Sequence, residues 1–219
     1  MRILFLGNNR LGYQILKWLK EEGENIVGLV IHPEQNRKYG DEIVACSGLG
    51  KEVIFDGSQL NNAEALNAIR NLNPDMGISV LFGHILTPKF LNNIPGGIIN
   101  LHPAYLPYNR GACPNVWSIV EGTTAGVTIH YIDPGIDTGD IIAQKEILVE
   151  PIDTGATLYR KQEEAMIELF KEVWRQVKSG QVTKIPQDKT VGSYHKLQDV
   201  EKIDRIDLER SYKARELIN

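Results

Sequence analysis

Short apolar, β-branched runs alternate along this chain with amphipathic helical stretches, and that alternation confines it to a sheet of mostly parallel strands with helices on its faces. Residues 2–7 read as the first strand, and Leu11, Ile15, Leu16 and Leu19 mark one face of the helix behind it. Residues 25–31 are a second strand, followed by a polar loop over 32–40 and a short helix near 42–46. A third strand falls at 53–55, and Asn61 or Asn62 caps a helix bearing Ala65, Leu66 and Ile69 that stops before Pro74. Strands follow at 76–81, up to His102, and at 127–132 and 141–149. Leu158, Gln162, Ala165, Leu169, Val173 and Val177 then make one long helix that Gly180 closes.

Residues 1–180 are expected to form one domain and 181–219 a C-terminal extension, with short segments around Gly192 to His195 and a charged helix from about Leu208. The helical pattern runs to Asn219 with no Gly or Pro exit signal, so the natural protein is expected to continue or its end to pack on another subunit, which leaves room for a homodimer.

With 219 residues, 42% hydrophobic, there is enough apolar material for one well-buried α/β domain. No apolar run reaches the roughly 18 residues of a membrane span, and the first seven residues read as a strand rather than a signal peptide. A cytoplasmic protein is the expectation. The formal net charge of -4 argues against a general nucleic-acid surface. Cys46 and Cys113 are too few and too far apart for a disulfide framework or a zinc site, and Cys113 is read as packing.

Chemistry concentrates in two places. The strand Ile98-Ile99-Asn100-Leu101-His102 ends at Pro103, which has no N–H for a sheet ladder. Asn100 and His102 therefore share a face, about two residue rises or roughly 6.6 Å apart, at the carboxyl end of a core strand where α/β folds bind ligands. Asp137 lies in a loop framed by Gly135 and Gly139. A carboxylate beside an imidazole raises its pKa and orients it, as a general acid or oxyanion stabiliser near neutral pH requires. Taken singly, each of the three is more ordinarily a cap or a satisfied polar contact. The series Asp133, Asp137 and Asp140 is no calcium loop, because Gly135 and Gly139 occupy two ligand places, and no metal is expected. The first turn, Gly7-Asn8-Asn9-Arg10-Leu11-Gly12, lacks the middle glycine of a dinucleotide fingerprint, and Glu34 falls late for the ribose carboxylate.

The Asn100-x-His102-Pro103 motif, the Leu106-Pro107-x-x-Arg110-Gly111 loop and the segment from Gly126-Val127-Thr128-Ile129-His130 to Asp137-Thr138-Gly139 resemble the 10-formyltetrahydrofolate-dependent formyltransferases. The resemblance is strong from about residue 76 to 180. It implies a Rossmann-like fold, a mostly parallel twisted sheet flanked by helices, with Asn100, His102 and Asp137 as catalytic triad and 10-formyltetrahydrofolate as formyl donor. A neutral amine would attack the formyl carbon while Asn100 and a protonated His102 hold the oxyanion, with Asp137 keeping His102 charged and relaying the proton. The family's pterin-contacting loops match Phe82, His84, Ile85, Leu86, Ile132, Asp133 and Pro134.

Among acceptors, the loop from Tyr105 to Gly111 with Pro114-Asn115-Val116-Trp117 looks most like the N-formyltransferases that modify nucleotide-linked 3-amino or 4-amino deoxysugars for surface glycans. That likeness implies a small-molecule partner, with neither nucleic acid nor membrane, held by Asn9, Arg10, Tyr108, Asn109, Arg110 and Trp117. Tyr194 is read as packing in preference to stacking on a nucleobase. Methionyl-tRNA and glycinamide ribonucleotide are the alternative acceptors. A basic carboxyl-terminal domain and a glycine-rich phosphate loop, respectively, are what these residues do not supply. An NAD-dependent oxidoreductase and a non-catalytic Rossmann-like binding module are the weaker alternatives, and both leave the triad unexplained.

Overall fold

The computed structural model describes residues 1–203 and 207–213. Its elements are β1 (Arg2–Gly7), α1 (Asn9–Glu21), β2 (Asn25–Ile31), α2 (Gly40–Ser47), β3 (Ile54–Asp56), α3 (Ala63–Asn71), β4 (Met76–Val80) and α4 (Pro88–Leu91). They continue as β5 (Ile98–His102), β6 (Arg110–Gly111), α5 (Pro114–Val120), β7 (Ala125–Tyr131), β8 (Ile141–Ile147), α6 (Gly155–Ser179) and β9 (Tyr194–His195). Seven strands form one sheet in the order β3-β2-β1-β4-β5-β7-β8. The first five in that order are parallel, and β7 and β8 complete the sheet antiparallel.

Alternation along the strands divides the core into two layers. Ile3 and Phe5 of β1 face α1 and α6, packing with Leu11, Ile15, Met166 and Phe170. Leu4 and Leu6 face the other way, against Leu66 and Ile69 of α3 and Phe90 of α4. Helix α3 begins where Asn62 accepts the Ala65 N–H at 2.7 Å. Helix α6 opens with a reciprocal cap, Thr154 N–H to Thr157 Oγ1 at 2.9 Å and Thr157 N–H to Thr154 Oγ1 at 3.2 Å, and ends at Gly180 in the left-handed region.

Three features depart from the sequence reading. Helices α4 and α5 were not anticipated; each is short and begins with proline, whose missing N–H costs nothing in the first turn. The segment after α6 returns to the sheet, with Ile185 bridging Ile141 and β9 pairing in parallel with β6. Residues 207–213 make turns rather than the start of a charged helix, and the rest of that expected helix lies outside the described residues. No helix among the described residues is long and apolar enough to cross a membrane.

Phe170 is fully buried between Trp18 and Trp174, so Phe170→Ala is expected to cost about 3–5 kcal/mol by urea unfolding. Asn62→Ala, which removes one exposed cap, should cost about 1 kcal/mol. Equal losses from the two would contradict this division of the core.

Candidate active site

The antiparallel partnership of β5 and β7 builds the site. Its register sets Asn100 opposite His130 and His102 opposite Thr128, bringing a second imidazole onto the face that carries the first. Asp137 descends onto the group from the loop between β7 and β8. Asn100 Nδ2 lies 3.2 Å from His130 Nε2 and 3.5 Å from Asp137 Oδ1. His102 Nδ1 is 3.7 Å from Asp137 Oδ2, and His130 Nε2 is 3.5 Å from Asp137 Oδ1. The structure thus brings together the three side chains expected from the sequence and adds His130.

The hydrogen bonds assign the resting protons. His130 Nδ1 faces the Tyr131 carbonyl at 2.8 Å and must donate there, leaving Nε2 to accept from Asn100. His102 Nε2 faces the Asn109 carbonyl at 3.2 Å, so its proton sits on that side and Nδ1 turns toward the carboxylate. At 3.7 Å that contact is too long for a hydrogen bond, and Nδ1 keeps its capacity for a reacting atom.

Burial pushes the His102 imidazole below its ordinary range, outweighing the pull of Asp137 in the other direction, and His130 adds to the depression. The expectation that Asp137 holds His102 charged is corrected accordingly: desolvation wins and the neutral form is favoured at rest. Asp137 itself is pushed up by burial, yet His102, His130 and the Gly111 N–H, which donates to Oδ2 at 2.9 Å, together hold it well below the usual carboxylate range. Among the described residues, no three His, Cys, Asp or Glu side chains are grouped to hold a metal ion.

These groups line a cavity of about 760 Å³. Phe82, His84, Ile85, Leu86, Ile132 and Asp133 line it too, whereas Pro134 does not. His84 Nε2 is buried with no hydrogen-bond partner among the described residues, and its ring packs with those of Phe82 and His32, whose Nε2 accepts the Gly83 N–H at 3.2 Å. Asp133 has a structural duty, since Oδ1 accepts from the Gly135 N–H at 3.0 Å and the Thr138 hydroxyl at 2.6 Å.

The residues expected to hold an acceptor are placed differently. Asn9 lines the cavity. Arg10 reaches instead to Glu163 at 3.6 Å, and Tyr108 is exposed outside the lining. Asn109 is wholly buried: its amide donates to the Ser118 and Thr123 hydroxyls and accepts from Ser193, so it ties loops together and is closed to a ligand. Arg110 is buried with Nε and Nη2 on Gln187 Oε1, which takes it from the role of a free cation. Trp117 is buried beneath His195, ring centroids 3.9 Å apart and nearly parallel. In their place Tyr159, Tyr194, His195, Lys196 and Leu197 line the cavity, as does Cys113, and Tyr194 is 45% exposed rather than packed. The tyrosine and histidine of β9 carried a faint aromatic signal; nothing in the sequence announced that the chain returns there.

The first strand–helix turn has its leading amides engaged within the fold. The N–H of Asn8 is bonded to the Val80 carbonyl at 3.2 Å and that of Asn9 to the Lys38 carbonyl at 2.9 Å, so neither is presented to a phosphate. Two of the amides that a dinucleotide phosphate would draw on at this turn are therefore already taken.

Residues 1–174 match the formyl transferase family, and the chain belongs to it. Among solved structures it is similar to the formyltransferase PseJ of Anoxybacillus kamchatkensis, crystallised with UDP-4,6-dideoxy-4-formamido-L-AltNAc and tetrahydrofolate. The two are 35% identical, with a TM-score of 0.69, over 92% of this chain and 89% of that one. A likely sugar N-formyltransferase of Mycobacterium tuberculosis is 25% identical with a TM-score of 0.79, over 99% of this chain and 84% of the other. Among curated proteins, the methionyl-tRNA formyltransferase of Sulfurihydrogenibium sp. is 33% identical across all of this chain and 72% of its own length. That of Ruminiclostridium cellulolyticum is 30% identical over 89% of this chain, which spans 64% of the relative's length.

Because burial depresses the folded-state pKa of His102, and of His32 beside Phe82 and His84, the unfolded chain binds protons that the folded chain refuses. That stability is intact above the ordinary imidazole pKa and is lost as pH falls below it. Stability should therefore fall between about pH 7 and 5 by up to about 1.4 kcal/mol per unit for each such histidine. His102→Gln should flatten the slope measured by urea titration at several pH values; an unchanged slope would refute the burial argument.

Proposed function

We propose that this protein transfers the formyl group of 10-formyltetrahydrofolate to the amine of a nucleotide-linked amino deoxysugar. The observation that carries the reading is the similarity to PseJ, because it extends over nine-tenths of both chains and that protein was crystallised with a formamido sugar nucleotide and a folate. The cavity suits a flat pterin: its walls are largely apolar, and His84 Nε2 offers an orphaned polar atom. Phe82, His84, Ile85, Leu86 and Ile132 would hold it, and the bound folate supplies an activated formyl carbon.

The chain's own groups then divide the work. As the amine adds to the formyl carbon, charge builds on the carbonyl oxygen, and the Asn100 N–H that rests on Asp137 Oδ1, at 3.5 Å the longer of the amide's two contacts, turns to stabilise it. His102 Nδ1 takes the proton that the amine loses, and the imidazolium so formed is stabilised by Asp137 at 3.7 Å. When the bond from carbon to N10 breaks, that proton is returned to the departing nitrogen. His130 orients the Asn100 amide by accepting its other N–H.

A second reading, transfer to methionyl-tRNA, is favoured by the names of the curated relatives. The two separate in one assay. With 10-formyltetrahydrofolate present, UDP-4-amino-4,6-dideoxy-L-AltNAc should gain a formyl group detected by mass spectrometry, while methionyl-tRNA and glycinamide ribonucleotide should not. Robust formylation of methionyl-tRNA in preference to the sugar would replace the proposed acceptor. Substituting Asn100, His102 or Asp137 by Ala should lower kcat by about 10²-fold or more with the fold retained. Near-normal turnover by the His102→Ala protein would remove the histidine from the chemistry.

A further inference from the structure

We propose that Gln187 is a positioning residue for Asp137, clamping the loop that carries the carboxylate to the strand that hydrogen-bonds it. The effect on turnover rests on the formyl-transfer reading above; the clamp itself does not. Gln187 is 9% exposed, and both ends of its amide are in use. Its Nε2 donates to the Asp137 carbonyl and to the Gly139 carbonyl, each at 2.8 Å. Its Oε1 accepts from Arg110 Nε at 3.2 Å and Nη2 at 2.9 Å. The residue after Arg110 is Gly111, whose N–H donates to Asp137 Oδ2 at 2.9 Å. One side chain thus joins the main chain of Asp137 to the short strand that orients its carboxylate.

The chemistry of the position requires an amide. Two carbonyls need donors and a guanidinium needs an acceptor, and among side chains of this length a glutamine provides both. The clamp also braces the backbone at Asp137, where φ is 53°, a left-handed conformation that aspartate enters more readily than most residues other than glycine. Released from Gln187, the loop is free to relax, drawing the carboxylate away from His102 and Asn100. Displacements of about 1 Å at a reacting group cost up to about 10²-fold in rate.

Two substitutions separate this role from bulk stability. Gln187→Glu keeps the acceptor for Arg110 but cannot donate to the carbonyls of Asp137 and Gly139; Gln187→Met removes all four bonds. With UDP-4-amino-4,6-dideoxy-L-AltNAc and 10-formyltetrahydrofolate, both variants should remain folded by circular dichroism and lose about 10- to 100-fold in kcat, with KM for either substrate within about threefold. Independently of turnover, NMR titration of the His102 ring in Gln187→Met should give a pKa below the wild-type value, since a displaced Asp137 no longer opposes the effect of burial. A Gln187→Glu protein with kcat within about threefold of wild type would assign the residue to anchoring Arg110 and overturn the proposal, as would an unchanged His102 titration in Gln187→Met. If the wild-type protein formylates neither the sugar nor methionyl-tRNA, the functional reading fails, and the histidine titration decides the clamp.

Discussion

A carboxylate withdrawn from water is the constraint around which this molecule is arranged. Asp137 is ionised and largely enclosed, a placement that is tolerated only where charge and hydrogen-bond donors surround it closely. The Asn100 amide and the Gly111 main-chain N–H donate to it and the rings of His102 and His130 enclose it, four groups brought together by the strands β5, β6 and β7. Little can change in β5, β6, β7 or the loop after β7 without leaving a partner of this carboxylate unmatched.

The antiparallel turn of the sheet makes such a gathering possible. Were β7 parallel to β5, a crossover would separate the two strands and His130 would meet Asn100 only by a different register. Lying antiparallel, β7 presents His130 directly across from Asn100. Its Thr128 meanwhile secures the backbone beyond Pro103, donating to the Ala104 carbonyl and accepting the Leu106 N–H. The face that carries Asn100 and the loop leading away from it are thus braced by the same strand.

Much of this was legible in the residues. The strand–helix alternation follows from apolar periodicity, a local property, and so do the face shared by Asn100 and His102 and the closure of α6 by Gly180. What escaped depends on contacts between distant segments. Arg110 and Asn109 look like ligand-binding residues in a polar loop, and the fold spends both on internal hydrogen bonds. His130 carries no local sign of its role, because its partnership with Asn100 exists only in the register of two strands. The charge state of His102 likewise turns on desolvation, which no spacing of residues reveals.

The return of the chain after α6 has a consequence for the order of events in biosynthesis. Hydrogen bonds between Asn109 and Ser193 close a loop of 84 residues, and those between Arg110 and Gln187 one of 77. Closures this long come late in folding, after the local β–α units have formed, because their entropy is lost before their contacts are gained. On the ribosome the sheet and its first helices can therefore assemble while one wall of the cavity is still unmade. A nascent chain interrupted before Gln187 would carry Asn100, His102 and Asp137 on a nearly finished scaffold whose cavity still lacked the side that Tyr194, His195, Lys196 and Leu197 line.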